Sequence, residues 1–322
     1  MNNTKEVGNV GVPEEAVMKK VVGSLIFGFT LLIVFAGPAA ADLTDYFVSA
    51  EWLSETKDNV TVVDVRIGPK YLLGHIDGAI HIDKTQFLKK REGVKSLVPD
   101  ARELARLLDR YGIGKDTVVV AYAEHTNPYS ARFVWMLRYH GHEKSYVLDG
   151  GYEKWAGEKR PVAILPTKVT AKKGYRVTSS QDIRAGAGYI YTRLHNPSVV
   201  IWDTRRPGEY NGTEVRADRG GHIPGSVHLN WVDLQKDVDG IKVVKSEDGI
   251  RELLASKGIV PGNEIVAHCQ TGIRSSYATL VLKGLGYENV KNYDGSWIEW
   301  ANNTSLPIEL PGKLAQTEKI TE

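Results

Sequence analysis

Apolar residues along this chain fall into short runs separated by longer stretches of mixed polarity. In the C-terminal half, Val199–Asp203, Glu264–His268 and Val290–Tyr293 are segments of strand length and read as short strands. Between and around them, residues 249–257 and 275–283 carry apolar positions at helical spacing. Strands alternating with helices predict an α/β fold, a small mostly parallel sheet with helices on both faces.

The pattern occurs twice. Val62-Val63-Asp64-Val65-Arg66 answers Ile201-Trp202-Asp203-Thr204-Arg205, Gly74-His75-Ile76-Asp77-Gly78 answers Gly221-His222-Ile223-Pro224-Gly225, and Leu148-Asp149-Gly150-Gly151 answers Tyr293-Asp294-Gly295-Ser296. The three matches keep one order at offsets of 139, 147 and 145 residues, which points to a duplication. One module spans 43–158 and the other 176–310. Residues 159–175, with two prolines, five lysines or arginines and no apolar period, read as an exposed linker.

The first 41 residues break the pattern. Lys19-Lys20, the apolar run Val21–Phe35 and the small-residue stretch Ala39-Ala40-Ala41 form a signal peptide with cleavage expected after Ala41. The apolar run is shorter than the roughly 20 residues a membrane span needs, and an uncleaved anchor is the alternative. Residues 1–17 are polar, and a start at Met18 would give an ordinary signal sequence. The protein is therefore expected to be exported, periplasmic or extracellular, with membrane contact only through an uncleaved signal segment.

Composition narrows the function. A net charge of +2 gives no basic field for nucleic acid. One cysteine allows no internal disulfide and no zinc cluster of the Cys-x-x-Cys type, and no metal is expected. A lone cysteine is usually an inert buried hydrophobe. Cys269, however, sits in His268-Cys269-Gln270-Thr271-Gly272-Ile273-Arg274-Ser275-Ser276, a polar, glycine-bearing turn between a strand end and a helix start. Loop amides and the helix dipole there favour thiolate, Arg274 adds a positive charge, and Gly272 allows positive φ. That arrangement suits transfer chemistry on a small oxyanion or sulfur anion. Aligned on their strands, the modules set Cys269 opposite Ala123 and Arg274 opposite Pro128, so the first module is expected to be inactive.

These motifs together resemble the two-domain rhodaneses, the thiosulfate sulfurtransferase family. The resemblance covers nearly all of residues 43–310. It implies two tandem rhodanese-like modules, the second catalytic, and a Cys269 persulfide as a covalent intermediate with no separate cofactor. The implied cycle takes sulfane sulfur from thiosulfate and passes it to a small acceptor such as cyanide or a thiol, with a thiol or redox protein as a further possible acceptor. Amides of Gln270, Thr271, Gly272, Ile273, Arg274 and Ser275 would cradle the persulfide. By the same resemblance Arg205 binds the sulfonate, with a surface salt bridge as the alternative; Asp203 reads as a brace for Arg205 or for loop backbone, and Arg274 as a substrate contact or a hold on the loop. Some relatives carry another arginine four positions beyond Arg205, where this chain has Glu209. The recurring His75 and His222 and the Asp-Gly turns read as structural, His268 as a packing residue, and Trp297 and Trp300 as supports of the loop. A 3-mercaptopyruvate sulfurtransferase, a persulfide carrier and a cysteine phosphatase are the alternatives. The first typically has Cys-Gly-Ser-Gly-Val-Thr, and the added charge of Arg274 favours doubly charged thiosulfate. The phosphatases place their arginine six residues after the cysteine, against five here.

Overall fold

Ten short strands build two sheets with the same connectivity. In the computed structural model, which describes residues 42–177 and 182–310, β1 (Phe47–Val48), β2 (Thr61–Asp64), β3 (Ile80–His81), β4 (Val119–Tyr122) and β5 (Ser145–Leu148) pair in parallel in the order β1-β5-β4-β2-β3. Strands β6 (Arg184–Ala185), β7 (Val199–Asp203), β8 (Val227–His228), β9 (Glu264–His268) and β10 (Val290–Tyr293) repeat it as β6-β10-β9-β7-β8. Every residue of β4 is buried, which explains why Val119–Tyr122 reads as an unbroken apolar run; β10 is buried throughout as well, its Lys291 and Asn292 included. The signal-type segment and its cleavage site lie outside the described residues.

The modules meet through two buried helices, Tyr129–Tyr139 and Ile273–Gly284. Phe133, Trp135 and Leu137 from the first join Tyr277, Leu280 and Val281 from the second in one core that runs through both modules. The other face of each sheet has its own smaller cluster, around Trp155 in the first module and Trp297 and Trp300 in the second. A helix apolar on nearly all sides belongs in such a sandwiched position. Loops exchange contacts across the same interface. Asp149 accepts the Val244 N–H at 3.0 Å, and its counterpart Asp294 accepts the Val98 N–H at 3.5 Å.

The repeated Asp-x-Arg motif is a brace. In the first module, Arg66 donates from Nη2 to Asp64 Oδ2 at 2.7 Å and to the Gly74 carbonyl at 2.6 Å. In the second, Arg205 donates to Asp203 Oδ2 at 2.6 Å and to the Gly221 carbonyl at 2.7 Å. Each brace ties a strand end to the Gly-His loop. The repeated histidines also act structurally: His75 stacks on Tyr71 and His222 on Tyr210, both with ring centroids 3.8 Å apart, and Nδ1 of each meets that tyrosine's carbonyl.

The segment expected to be an exposed linker is exposed along most of its length but is not free. Val162–Ala163 pairs antiparallel with His75–Ile76, Thr167 N–H donates to Tyr71 Oη, and Tyr175 is buried against His142. Those anchors are tertiary, so local composition does not reveal them.

Replacing Asp64 by alanine strands the buried Arg66 guanidinium without its carboxylate. The expected loss is about 3–5 kcal/mol of stability, typical when one partner of a buried ion pair is removed. A urea unfolding curve of Asp64→Ala that keeps the wild-type midpoint would contradict this reading of the motif.

Candidate active site

Strand β9 ends at His268, and the helix Ile273–Gly284 begins after four intervening residues. The register that sets Asp203 beside His268 brings the loops after β7 and β9 together at the C-terminal edge of the sheet. Gly272 is the turning point, at φ +75°, and a Cβ there would stand 2.5 Å from the Asp294 carbonyl oxygen. Only glycine meets both demands without distortion.

The loop turns its carbonyls outward. Trp297 N–H donates to the Cys269 carbonyl and Ile298 N–H to that of Gln270, both at 3.0 Å. Asn292 Nδ2 donates to the Gly272 carbonyl at 3.0 Å and Ser276 Oγ to the same oxygen at 2.7 Å. Inward-facing N–H groups of Thr271 and Ser275 are thereby left for the sulfur.

Cys269 is 1% exposed. Burial pushes its thiol pKa up, but the Arg274 charge and the Ser275 and Thr271 N–H groups outweigh burial and hold it below the ordinary thiol range. Ser275 is fixed from the far side, its hydroxyl donating to Asn292 Oδ1 at 2.6 Å. His268 is not a base: burial lowers its pKa to about 4, leaving it neutral at ordinary pH, and it packs with Nε2 3.6 Å from Asp203 Oδ2.

Arg274 is held by a residue that the motif reading treated only as a departure from relatives. Glu209 is buried and accepts from Arg274 Nη1 at 2.6 Å and Nη2 at 2.8 Å. Burial raises the Glu209 pKa, but the Arg274 ion pair more than offsets it and keeps the carboxylate charged. Arg274 therefore faces the sulfur as half of an ion pair rather than as a free cation. Arg216 also reaches Glu209, at 3.3 Å, and its carbonyl accepts from Gln270 Nε2 at 2.8 Å.

Arg205 requires correction. The expectation made it a sulfonate ligand, yet its guanidinium is 1% exposed and spent on Asp203 and Gly221, over the Trp297 ring. The same brace in the cysteine-free module shows that this geometry serves the fold. Asp203 is its carboxylate, as expected; burial raises its pKa, but His268 and Arg205 bring it below the usual range. The positive groups that do open to solvent are Arg206, Arg216 and Arg274, which line a cleft of about 720 Å³ above the loop. Gln270, Thr271 and Ile273 also line it, as do Asn127 and Tyr129 of the first module.

Ser296 is a further residue that motif reading missed. It has φ +54°, uncommon outside glycine, and its hydroxyl accepts the Cys269 N–H at 3.2 Å. The matching residue in the first module is Gly151, at φ +58°. A serine replacing glycine at a left-handed position was the available signal.

The Rhodanese-like domain model matches residues 49–158 and again 187–303. The chain belongs to the rhodanese family. Its curated relatives include the thiosulfate sulfurtransferase of Azotobacter vinelandii, 35% identical over 251 residues, covering 77% of this chain and 90% of that protein. The sulfur carrier protein TtuD of Thermus thermophilus is 33% identical over 285 residues, covering 82% and 96%. Among solved structures, a variant of EanB with ergothioneine covalently linked to a persulfide superposes with a TM-score of 0.75 at 23% identity, covering 84% of this chain and 71% of that one. At that identity the likeness speaks to the rhodanese fold.

Glu209→Gln keeps a hydrogen-bond acceptor for Arg274 but removes the opposing charge. The variant should form its Cys269 thiolate at lower pH, seen as an acid shift in the iodoacetamide alkylation profile. The KM for an anionic donor should fall roughly tenfold, the scale of one nearby charge at intermediate dielectric. An unchanged profile would show that Glu209 does not restrain Arg274.

Proposed function

We propose that this rhodanese is a thiosulfate sulfurtransferase that works through a persulfide on Cys269. The observation that carries the reading is a buried thiol held toward thiolate by an ion-paired arginine and inward loop amides. Names of relatives at 32–35% identity point to the same donor. Thiolate Sγ attacks the outer sulfur of thiosulfate. The S–S bond of thiosulfate breaks, and sulfite leaves with its electron pair. Cyanide or a thiolate then attacks the outer persulfide sulfur, and the Cys269 thiolate departs as leaving group.

The charge balance of the cleft supports an anionic donor without giving the whole weight to Arg274. Arg206, Arg216 and Arg274 stand against Glu209 and Glu214, which leaves one net positive charge at the mouth. This attracts thiosulfate and also the monoanionic 3-mercaptopyruvate, which remains the competing donor. The likeness to a sulfur carrier protein over nearly its full length supports a second reading, in which the acceptor is a partner protein's thiol. Residues 19–41 support export of the mature chain, as their charged, apolar and Ala-x-Ala parts imply.

Intact-mass measurement tests the cycle. Thiosulfate should add one sulfur atom to the wild type, cyanide should remove it with release of thiocyanate, and Cys269→Ser should stay folded and gain nothing. Sulfur gained from 3-mercaptopyruvate but not from thiosulfate would change the donor. Loading without turnover on small thiols would favour the carrier.

A further inference from the structure

The cysteine-free module reaches into the catalytic loop through one buried side chain. Arg132 lies in the helix Tyr129–Tyr139 and is wholly buried. Its Nη1 donates to the Gly272 carbonyl at 3.2 Å and approaches Ser276 Oγ at 3.4 Å. Its Nη2 donates to the Ser96 carbonyl at 2.7 Å and to Asp294 Oδ1. Asp294 also receives Arg184, through Nε at 3.0 Å, and directly precedes the Gly295-Ser296 turn whose hydroxyl meets the Cys269 amide.

We propose that Arg132 is a positioning residue for catalysis, a clamp from the first module that sets the orientation of the Gly272–Ile273 peptide beneath the Cys269 sulfur. A trans peptide is planar, so its C=O and N–H point in opposite directions. With the carbonyl drawn toward Arg132, Asn292 and Ser276, the Ile273 N–H faces the other way, toward the side on which Thr271 and Ser275 already present theirs. Of the three side-chain donors on that carbonyl, Arg132 is the charged one and comes from the other module. Charge-assisted bonds hold geometry more firmly than neutral ones.

The pseudosymmetry of the molecule argues that this clamp serves the loop and is not merely part of the interface. Asp149 occupies the matching place to Asp294 and accepts the matching backbone N–H from the opposite module. Among the described residues Asp149 forms no ion pair with an arginine, and burial raises its pKa. The interface therefore accommodates an aspartate there without a guanidinium. The arginine is present only on the side where the adjoining loop carries the cysteine.

The inference rests on Cys269 being the nucleophile, and its test reads that thiol independently of sulfur transfer. The charged groups around the loop are Arg274 with Glu209 on one side and Arg132 with Asp294 and Arg184 on the other. Arg132→Met and Arg132→Lys would be compared with wild type by the pH profile of iodoacetamide alkylation at Cys269, by kcat and KM with thiosulfate and cyanide, and by thermal midpoint. Lysine keeps a cation on Asp294 but lacks the planar fork that spans Gly272, Ser96 and Asp294.

The expected result is an alkylation profile displaced to higher pH in both variants. A drop in kcat of about 100-fold for Arg132→Met is expected, the scale of a small misplacement at a reacting centre, with KM little changed. Arg132→Lys should stay close to wild type in thermal midpoint and still lose turnover. Should the methionine variant fail to fold, the lysine variant carries the test. A lower thermal midpoint with wild-type alkylation and kcat would overturn the proposal and leave Arg132 as an interface residue. Failure of wild-type protein to take sulfur from thiosulfate would overturn the donor assignment alone, because alkylation would still report on the clamp.

Discussion

A thiol held toward its anion and sealed from water is the constraint around which the second module is organised. A buried unpaired charge is costly, and the protein meets that cost with the Arg274 charge and with preorganised loop dipoles. Those dipoles point inward because the carbonyls behind them are tied outward. Cys269 and Gln270 are tied to the start of the helix Ser296–Asn302, and Gly272 is tied to Asn292, Ser276 and Arg132. The loop conformation is thus a product of four elements, three helices and strand β10. Arg274 adds charge, but Glu209 holds it in a fixed fork and removes much of its field from the mouth.

Duplication separates what the fold needs from what the chemistry needs. The Asp-x-Arg brace, the tyrosine–histidine stack and the sheet order are present in both modules, with nearly equal geometry. They belong to the scaffold. Cys269 in place of Ala123 and Ser296 in place of Gly151 are present once. The serine illustrates how function strains the scaffold. A left-handed residue is cheapest as glycine, yet here a side chain occupies that conformation and its hydroxyl satisfies the nucleophile's own amide.

Strand periodicity and the repeats made the rhodanese fold readable from the chain, and the lone cysteine in its polar turn pointed to the candidate site. The three main strands of the second sheet fall where the apolar runs place them. What local pattern could not supply was the partner of each charge. Arg205 sits at a strand end beside the cleft, which is also where a ligand-binding arginine would sit, and only tertiary burial decides between the two. The repetition of the motif at Arg66, in a module without the nucleophile, already argued for the structural answer, as it did for the histidines. Glu209 and Arg216 lie about 60 residues before the cysteine, and Arg132 more than 130. Their convergence is a product of topology, invisible to any window along the sequence.

The depth of the thiol has a consequence for the two halves of the proposed cycle. Free Cys269 is almost wholly buried under the cleft floor, so only a slender group such as a terminal sulfur can reach it. Once the persulfide forms, the reactive atom moves outward by an S–S bond of about 2 Å. Donor and acceptor then meet different sites. In the proposed cycle the donor must insert toward the amides of the loop, whereas the acceptor would meet the outer sulfur nearer the cleft that Arg206, Arg216, Asn127 and Tyr129 line. Part of that lining belongs to the module without a cysteine. The first module thus meets the proposed site at two places: Arg132 beneath the loop, and Asn127 and Tyr129 in the lining of the cleft.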